Sequence, residues 1–161
     1  MKKILYTKGR NYQIIDNKKK VCEVFYYKWY SEKASGIYNL DRIQFFISGV
    51  INQNVTILKN DQPIGTIKYN LRGYMVLNIK DENGAEKTYF LKIKTVWRFR
   101  IEVFDEQNNM CFIMHSYGKW YKAYNNFKIE ELASTNTNIN ELLVYCAYAA
   151  NWFINIAVSA S

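Results

Sequence analysis

INELLVYCAYAANWFINIAV, residues 139–158, carries a single formally charged side chain, Glu141, in a run that is otherwise apolar and interrupted by asparagines. As a helix it extends about 30 Å at roughly 1.5 Å per residue, which suits either a bilayer or the lumen of a wide β-barrel. Three features favour the barrel. No Lys or Arg adjoins the segment, the nearest being Lys128, so the cationic anchors usual at the ends of a span are missing. Asn140, Asn151 and Asn155 would each need a hydrogen-bond partner in hydrocarbon. A closed barrel of ten or more strands also has a lumen too wide for its own inward side chains, and an apolar helix fills it. On a helical wheel the asparagines fall with Tyr148 in one narrow polar stripe. Asn138 followed three residues later by Glu141 is a capping-box pattern that starts the helix.

Upstream, short runs of alternating apolar and polar residues are joined by polar turns, the punctuation of β-hairpins. Asn11 to Asp16 turns through Asn17-Lys18-Lys19 into Val21 to Trp29, and Val55 to Lys59 turns through Asp61-Gln62-Pro63 into Ile64 to Tyr69. Met75 to Lys80 turns through Glu82-Asn83-Gly84 into Thr88 to Ile93, and Phe99 to Phe104 turns through Glu106-Gln107-Asn108 into Met110 to Ser116. Leu5, Ile43 to Ser48 and Tyr121 to Phe127 add further strand-like runs, for about ten to twelve strands in all. The connection Ser31 to Asn39 reads as the longest irregular loop.

With one proline and seven glycines in 161 residues, no linker or low-complexity tract divides the chain, which reads as one domain over 1–161 with strands over about 2–132. The 49% apolar content supplies a core. The basic start Met1-Lys2-Lys3 meets Lys8 and Arg10 after only a few apolar residues, so export is not expected. Cys22, Cys111 and Cys146 lack metal-type spacing and read as free thiols in a reducing cytosol.

The layout resembles the tubby-like superfamily, which includes the tubby C-terminal domain, the phospholipid scramblases and the LURP-one-related proteins. Glu141-Leu142-Leu143-Val144-Tyr145-Cys146-Ala147-Tyr148-Ala149 and the hairpins turning at Asp16, Asp81 and Asp105 carry the resemblance, which spans nearly the whole chain. It implies a mainly β fold, a closed antiparallel barrel threaded by a hydrophobic C-terminal helix. For function it implies phosphoinositide or membrane-surface binding in tubby and no settled role in many small bacterial relatives, so the fold alone licenses no activity.

The formal charge of +8 and isoelectric point near 9.3 favour an acidic partner, set against a solely solubilising role. Between Tyr89 and Val103 the odd positions Leu91, Ile93, Trp97, Phe99 and Ile101 are apolar. The even positions Lys92, Lys94, Arg98 and Arg100 are cationic, which lays a basic wall over an apolar one. With Lys68 and Arg72 on adjoining elements, this wall is the expected site for anionic headgroups, the alternative being an ordinary solvated strand face. The aromatic cluster Tyr26-Tyr27-Lys28-Trp29-Tyr30 suits stacking or interfacial insertion as well as core packing, alternation placing Tyr26, Lys28 and Tyr30 opposite Tyr27 and Trp29. Lys18-Lys19-Lys20 is the tip of a hairpin that is either solvated or phosphate-contacting.

His115 is the one histidine, so no multi-histidine metal site is available, and with Ser116 it makes no triad. Asp81, Asn83 and Gly84 lack the glutamate and ligand alternation of an EF-hand and read as turn formers. There is no P-loop, dinucleotide fingerprint or nucleophile elbow. The expectation is therefore a non-enzymatic module without cofactor or metal, cytoplasmic and peripheral at the membrane, that binds phosphoinositide or other anionic lipid. Its alternatives are an interaction or scaffold domain without a lipid ligand and a sequence-tolerant nucleic-acid binder. A lipocalin-like carrier is disfavoured because the helix occupies the cavity.

Overall fold

A computed structural model describes residues 1–159 except 8–9, 29–30, 49–53, 71, 82, 96–98, 118–125 and 133–138, and, for side chains, except 95 and 157–159. It contains the strands β1 (Lys2–Tyr6), β2 (Tyr12–Asp16), β3 (Lys19–Tyr26), β4 (Ala34–Tyr38), β5 (Asp41–Ser48) and β6 (Asn54–Lys59). These are followed by β7 (Gln62–Asn70), β8 (Tyr74–Lys80), β9 (Glu86–Thr95), β10 (Arg100–Phe104), β11 (Met110–Tyr117) and β12 (Asn126–Glu131). A C-terminal helix, α1 (Ile139–Ser159), completes the chain. Each strand pairs antiparallel with its neighbours in sequence, and β1 pairs with β12 to close the barrel.

The tight turns explain the register. Asn17-Lys18, Asn39-Leu40 and Asn60-Asp61 all have positive φ at both residues, the geometry of two-residue hairpins whose twist matches that of the flanking strands. Asparagine leads each pair because its short polar side chain tolerates the left-handed region. The β8–β9 and β10–β11 connections share a different device. Asp81 Oδ1 accepts from the backbone N–H of Asn83 and Ala85, and Asp105 Oδ1 from those of Gln107 and Asn109. The bonds from Ala85 and Asn83 offset desolvation and hold the Asp81 carboxyl below its ordinary range.

The sequence reading needs revision at several places. Ala34 to Tyr38, expected within a loop, forms β4. Its Ala-Ser-Gly start has weak strand propensity, yet a Cβ on Gly36 would lie 2.4 Å from the Glu23 carbonyl oxygen, so only glycine permits this approach to β3. Strand β3 ends at Tyr26, so the alternation expected through Trp29 stops there; Trp29 and Tyr30 lie outside the described residues. Pro63 lies within β7 beside an irregularity in the β6 register rather than in the turn, because Asn60-Asp61 already closes the hairpin. Of the expected run Tyr121 to Phe127, Asn126 and Phe127 belong to β12, while residues 121–125 and the cap residue Asn138 lie outside the described residues.

Alternation sends Ile4, Tyr12, Ile14, Val24, Phe45, Ile57, Ile67, Leu77 and Phe127 into the lumen, each fully buried. Helix α1 fills that space. It is buried without interruption from Leu142 to Trp152, about three turns, so no face of this stretch meets water. Contacts reach it from around the wall. Tyr12 donates to the Val144 carbonyl at 2.9 Å, Tyr6 to Ala147 at 3.0 Å, and the Phe45 ring stacks on Tyr148 at 4.1 Å. At its N-terminal end Lys59 Nζ meets Glu141 at 2.9 Å, and toward its C-terminal end Phe153 packs on Tyr69. Ala147, Ala149 and Ala150, all buried, keep the helix thin where the wall comes close.

The polar stripe on α1 has partners. Asn151 Nδ2 donates to the Arg10 carbonyl at 3.2 Å and to Tyr26 Oη at 3.1 Å, and Tyr148 donates to the Glu32 carbonyl at 2.6 Å. Above this layer the Arg10 guanidinium, 4% exposed for the residue, pairs with both Glu32 carboxylate oxygens and lies 4.3 Å from the Tyr26 ring centroid. A buried charge survives there because it is paired and hydrogen-bonded.

Outward positions carry Lys20, Glu23, Lys68, Lys92, Lys94, Lys128 and Glu130 beside single exposed apolar residues such as Phe25 and Ile37, while the lumen is mainly apolar. That polarity is the inverse of a transmembrane barrel, whose outward band is apolar. Among the described residues no helix is long and apolar enough to cross a membrane.

Candidate functional site

The wall from β9 through β12 to β1 carries Lys92, Lys94 and Arg100 of the cations singled out in the sequence. Lys92 and Lys94 on β9 and Arg100 on β10 share its outer face, as the alternation requires, even though the β9–β10 register shifts beside Arg100. Glu102, 8% exposed, stands among them: its carboxylate takes Arg100 Nη2 at 3.1 Å and Lys94 Nζ at 3.6 Å. Lys92 instead lies 4.2 Å from the Phe104 ring centroid and donates to Asn108 Oδ1 at 3.2 Å. Arg98 lies outside the described residues. Lys68 is exposed on β7, and Arg72 is exposed in the turn between β7 and β8. They adjoin the wall across β8 rather than joining the cluster on Glu102.

Barrel closure adds residues that the linear sequence keeps far apart. Arg100 lies directly opposite His115, His115 opposite Lys128, and Lys128 opposite Lys3. One cross-strand row therefore runs Arg100, His115, Lys128, Lys3 over four neighbouring strands. Lys128 and Lys3 are like charges directly opposite one another, an arrangement destabilising by a few tenths to about 1 kcal/mol per pair in a sheet. Carboxylates stand beside the other two members of the row. Glu130 Oε2 lies 2.7 Å from His115 Nε2, and Glu102 serves Arg100. Lys128 Nζ stands 5.2 Å from the Tyr117 ring centroid. With these carboxylates taken by Lys94, Arg100 and His115, Lys3, Lys92 and Lys128 have no acidic partner among the described residues.

The other positions singled out in the sequence fall elsewhere. Lys18 forms the β2–β3 turn, Lys19 faces Asp16 across the ladder, and Lys20 is held by Glu23 at 2.6 Å, so the lysine run belongs to a hairpin with its own counter-charges. Tyr26 is a core residue stacked on Tyr148, whereas Tyr27 is 59% exposed. His115 meets Glu130 and stands in the row between Arg100 and Lys128. No group of three or more metal-ligating side chains occurs among the described residues.

The three thiols are buried and unpaired, and burial pushes Cys22 up to about 12 and Cys111 to about 11. Reactive thiols are held low by nearby positive charge, so these are core side chains. No protein-family model, no curated protein and no solved structure matches this chain, and the reading of its surface rests on its own residues.

Proposed function

We propose that the chain is a non-enzymatic binding module that recognises phosphoinositide or other anionic lipid headgroups at a cytoplasmic membrane surface through its basic outer wall. Lys92, Lys94 and Arg100 form the centre of that site, Lys128 and Lys3 extend it toward β1, and Arg98, Lys68 and Arg72 border it in sequence or across β8. The carrying observation is the outer-face row Arg100, His115, Lys128, Lys3, in which Lys128 and Lys3 lie directly opposite one another in register. Neighbouring carboxylates offset its charge in part, and a phosphate-bearing headgroup laid across it offsets the rest. An anionic surface attracts each nearby Lys or Arg with about 1 kcal/mol, so the cations without acidic partners supply a useful affinity only when they act together.

The test is co-sedimentation of the full chain with phosphatidylcholine vesicles, with and without phosphatidylserine. Binding is expected only to the anionic vesicles and weakens as salt rises, because exposed charges are screened over about 10 Å at 0.1 M salt. Lys92→Gln with Lys128→Gln removes two cations and is expected to weaken partitioning by about tenfold or more. Unchanged partitioning of this variant, or binding indifferent to salt, contradicts the reading. Failure to bind any vesicle would leave the scaffold alternative standing.

A further inference from the structure

The barrel has two unlike ends. The connections β2–β3, β4–β5, β6–β7, β8–β9 and β10–β11 emerge beside the N-terminus of α1; their described residues include acidic Asp61, Asp81, Asp105 and Glu106 and basic Lys18. The described parts of the β1–β2, β3–β4, β7–β8 and β9–β10 connections lie at the opposite end and include basic Arg10, Lys28, Lys33 and Arg72 and acidic Glu32. Among the described connection residues, one end thus has an excess of base and the other an excess of acid. Charged strand ends change the balance at the second. There Arg42 pairs with Asp61 and Lys87 with Asp81, while Lys2 pairs with Asp16 and Glu131 and Lys59 with Asp41 and Glu141, which brings that end close to neutral. Near the basic end Lys68, Lys94 and Arg100 add to the positive side.

Acid beside the N-terminus of α1 and base toward its C-terminus complement a macrodipole of about half a charge at each end. The basic rim exceeds what this needs, whereas the ion pairs at the other end leave no comparable excess of acid. The buried length of α1, Leu142 to Trp152, sets the rims on the order of 20 Å apart, about two Debye lengths at physiological salt. An anionic surface therefore attracts the basic rim with little contribution from the far one.

Exposed rings accompany the basic rim. Tyr27 is 59% exposed beside Lys28, and Tyr69 is 38% exposed where it packs on Phe153 of α1. Tyrosine is a residue of membrane–water interfaces, its ring in the headgroup layer and its hydroxyl toward water. The other rim presents Leu40, 96% exposed, on a two-residue turn.

We propose that the barrel docks end-on, with the rim bearing Lys28, Lys33, Arg72, Tyr27 and Tyr69 turned to an anionic membrane surface and the Asp61–Asp81–Asp105 rim turned away. This rests on the reading that the protein binds anionic headgroups and adds the orientation. The basic wall lies partly in the same half of the barrel, since Arg100 begins β10 and Lys94 nearly ends β9 at that rim. Wall and rim thus engage together when the barrel leans toward β9–β10.

The experiment places an environment-sensitive fluorophore on the full chain at Tyr27→Cys or at Leu40→Cys; the native thiols are buried and unlabelled. The probe is a vesicle of phosphatidylcholine and phosphatidylserine containing a quencher lipid. The expected result is quenching and a blue shift at position 27 and neither at position 40. Lys33→Glu with Arg72→Glu weakens partitioning at least about tenfold, while Asp61→Lys with Glu106→Lys does not weaken it. Quenching at position 40 as strong as at 27, or a rim variant that partitions like the native chain, overturns the orientation while vesicle binding stands. Native chain that ignores these vesicles, or binds a single-stranded oligonucleotide in their place, overturns the headgroup reading and the orientation with it.

Discussion

Ending the chain before Ile139 is expected to abolish cooperative folding. Helix α1 brings Leu142, Leu143, Val144, Tyr145, Trp152 and Ile154 into the lumen, all buried. At about 1.5 to 3 kcal/mol each, these side chains contribute on the order of 10 kcal/mol, an upper-end figure because denatured chains are already partly compact. A typical domain has a net stability of only about 5 to 15 kcal/mol. The loss is counted twice, since the inward faces of the strands lose their cover as well. Denaturant unfolding followed by circular dichroism checks this, the shortened chain giving no cooperative transition. A milder variant, Trp152→Ala, keeps the fold and is expected to cost about 3 to 5 kcal/mol. A shortened chain that unfolds cooperatively as a monomer contradicts this account.

The second large effect is alkaline unfolding. Tyr12, Tyr26, Tyr145 and Tyr148 are buried, and burial raises each phenol above its ordinary range, the hydrogen bond from Tyr145 to Glu141 raising Tyr145 further. A group with a raised folded pKa contributes its full stability below the unfolded value, here about 10, and loses it as pH climbs from there. Each phenol that ionises only on unfolding removes about 1.4 kcal/mol per pH unit, so the four together remove about 5 to 6 kcal/mol per unit. The buried thiols start the decline earlier, because an exposed cysteine ionises near pH 8.5. A cooperative loss of structure is therefore expected between roughly pH 10 and 11.5. Tyrosinate absorbance and circular dichroism recorded on one titration check it. The buried phenols should ionise only as the structure disappears; their ionisation near pH 10 in a folded protein contradicts the burial described here.

Local chemistry made the helix and four of the hairpins legible. The run from Leu142 to Trp152 has no amphipathic compromise, and an Asp or Asn at the head of the β2–β3, β6–β7, β8–β9 and β10–β11 turns marks where those strands reverse. The strand β4 was hidden because Ala34-Ser35-Gly36 is chosen for close approach to β3, which propensity does not record. Arg10 was hidden for a similar reason. A lone arginine beside a turn reads as solvated, and its burial depends on Glu32 and Tyr26 arriving from another hairpin.

The basic wall was half legible. Alternation within one stretch placed Lys92, Lys94 and Arg100 on one face. The contributions of Lys128 and Lys3 required the closing pair of the barrel, which joins the two ends of the strand sequence and leaves no local trace. Glu102 was visible as a residue but not as the shared counter-ion of Lys94 and Arg100, a role set by rotamers across two strands.

The central claim is that α1 is the core of the barrel and not an appendage to it. Native-state hydrogen exchange tests it most directly, because opening free energies are resolved residue by residue. The account predicts that the amides from Leu142 to Trp152 exchange only through global unfolding, with the same free energy as the inward strands β10 and β11. Helix amides that exchange through a smaller opening while the strands stay protected would contradict it.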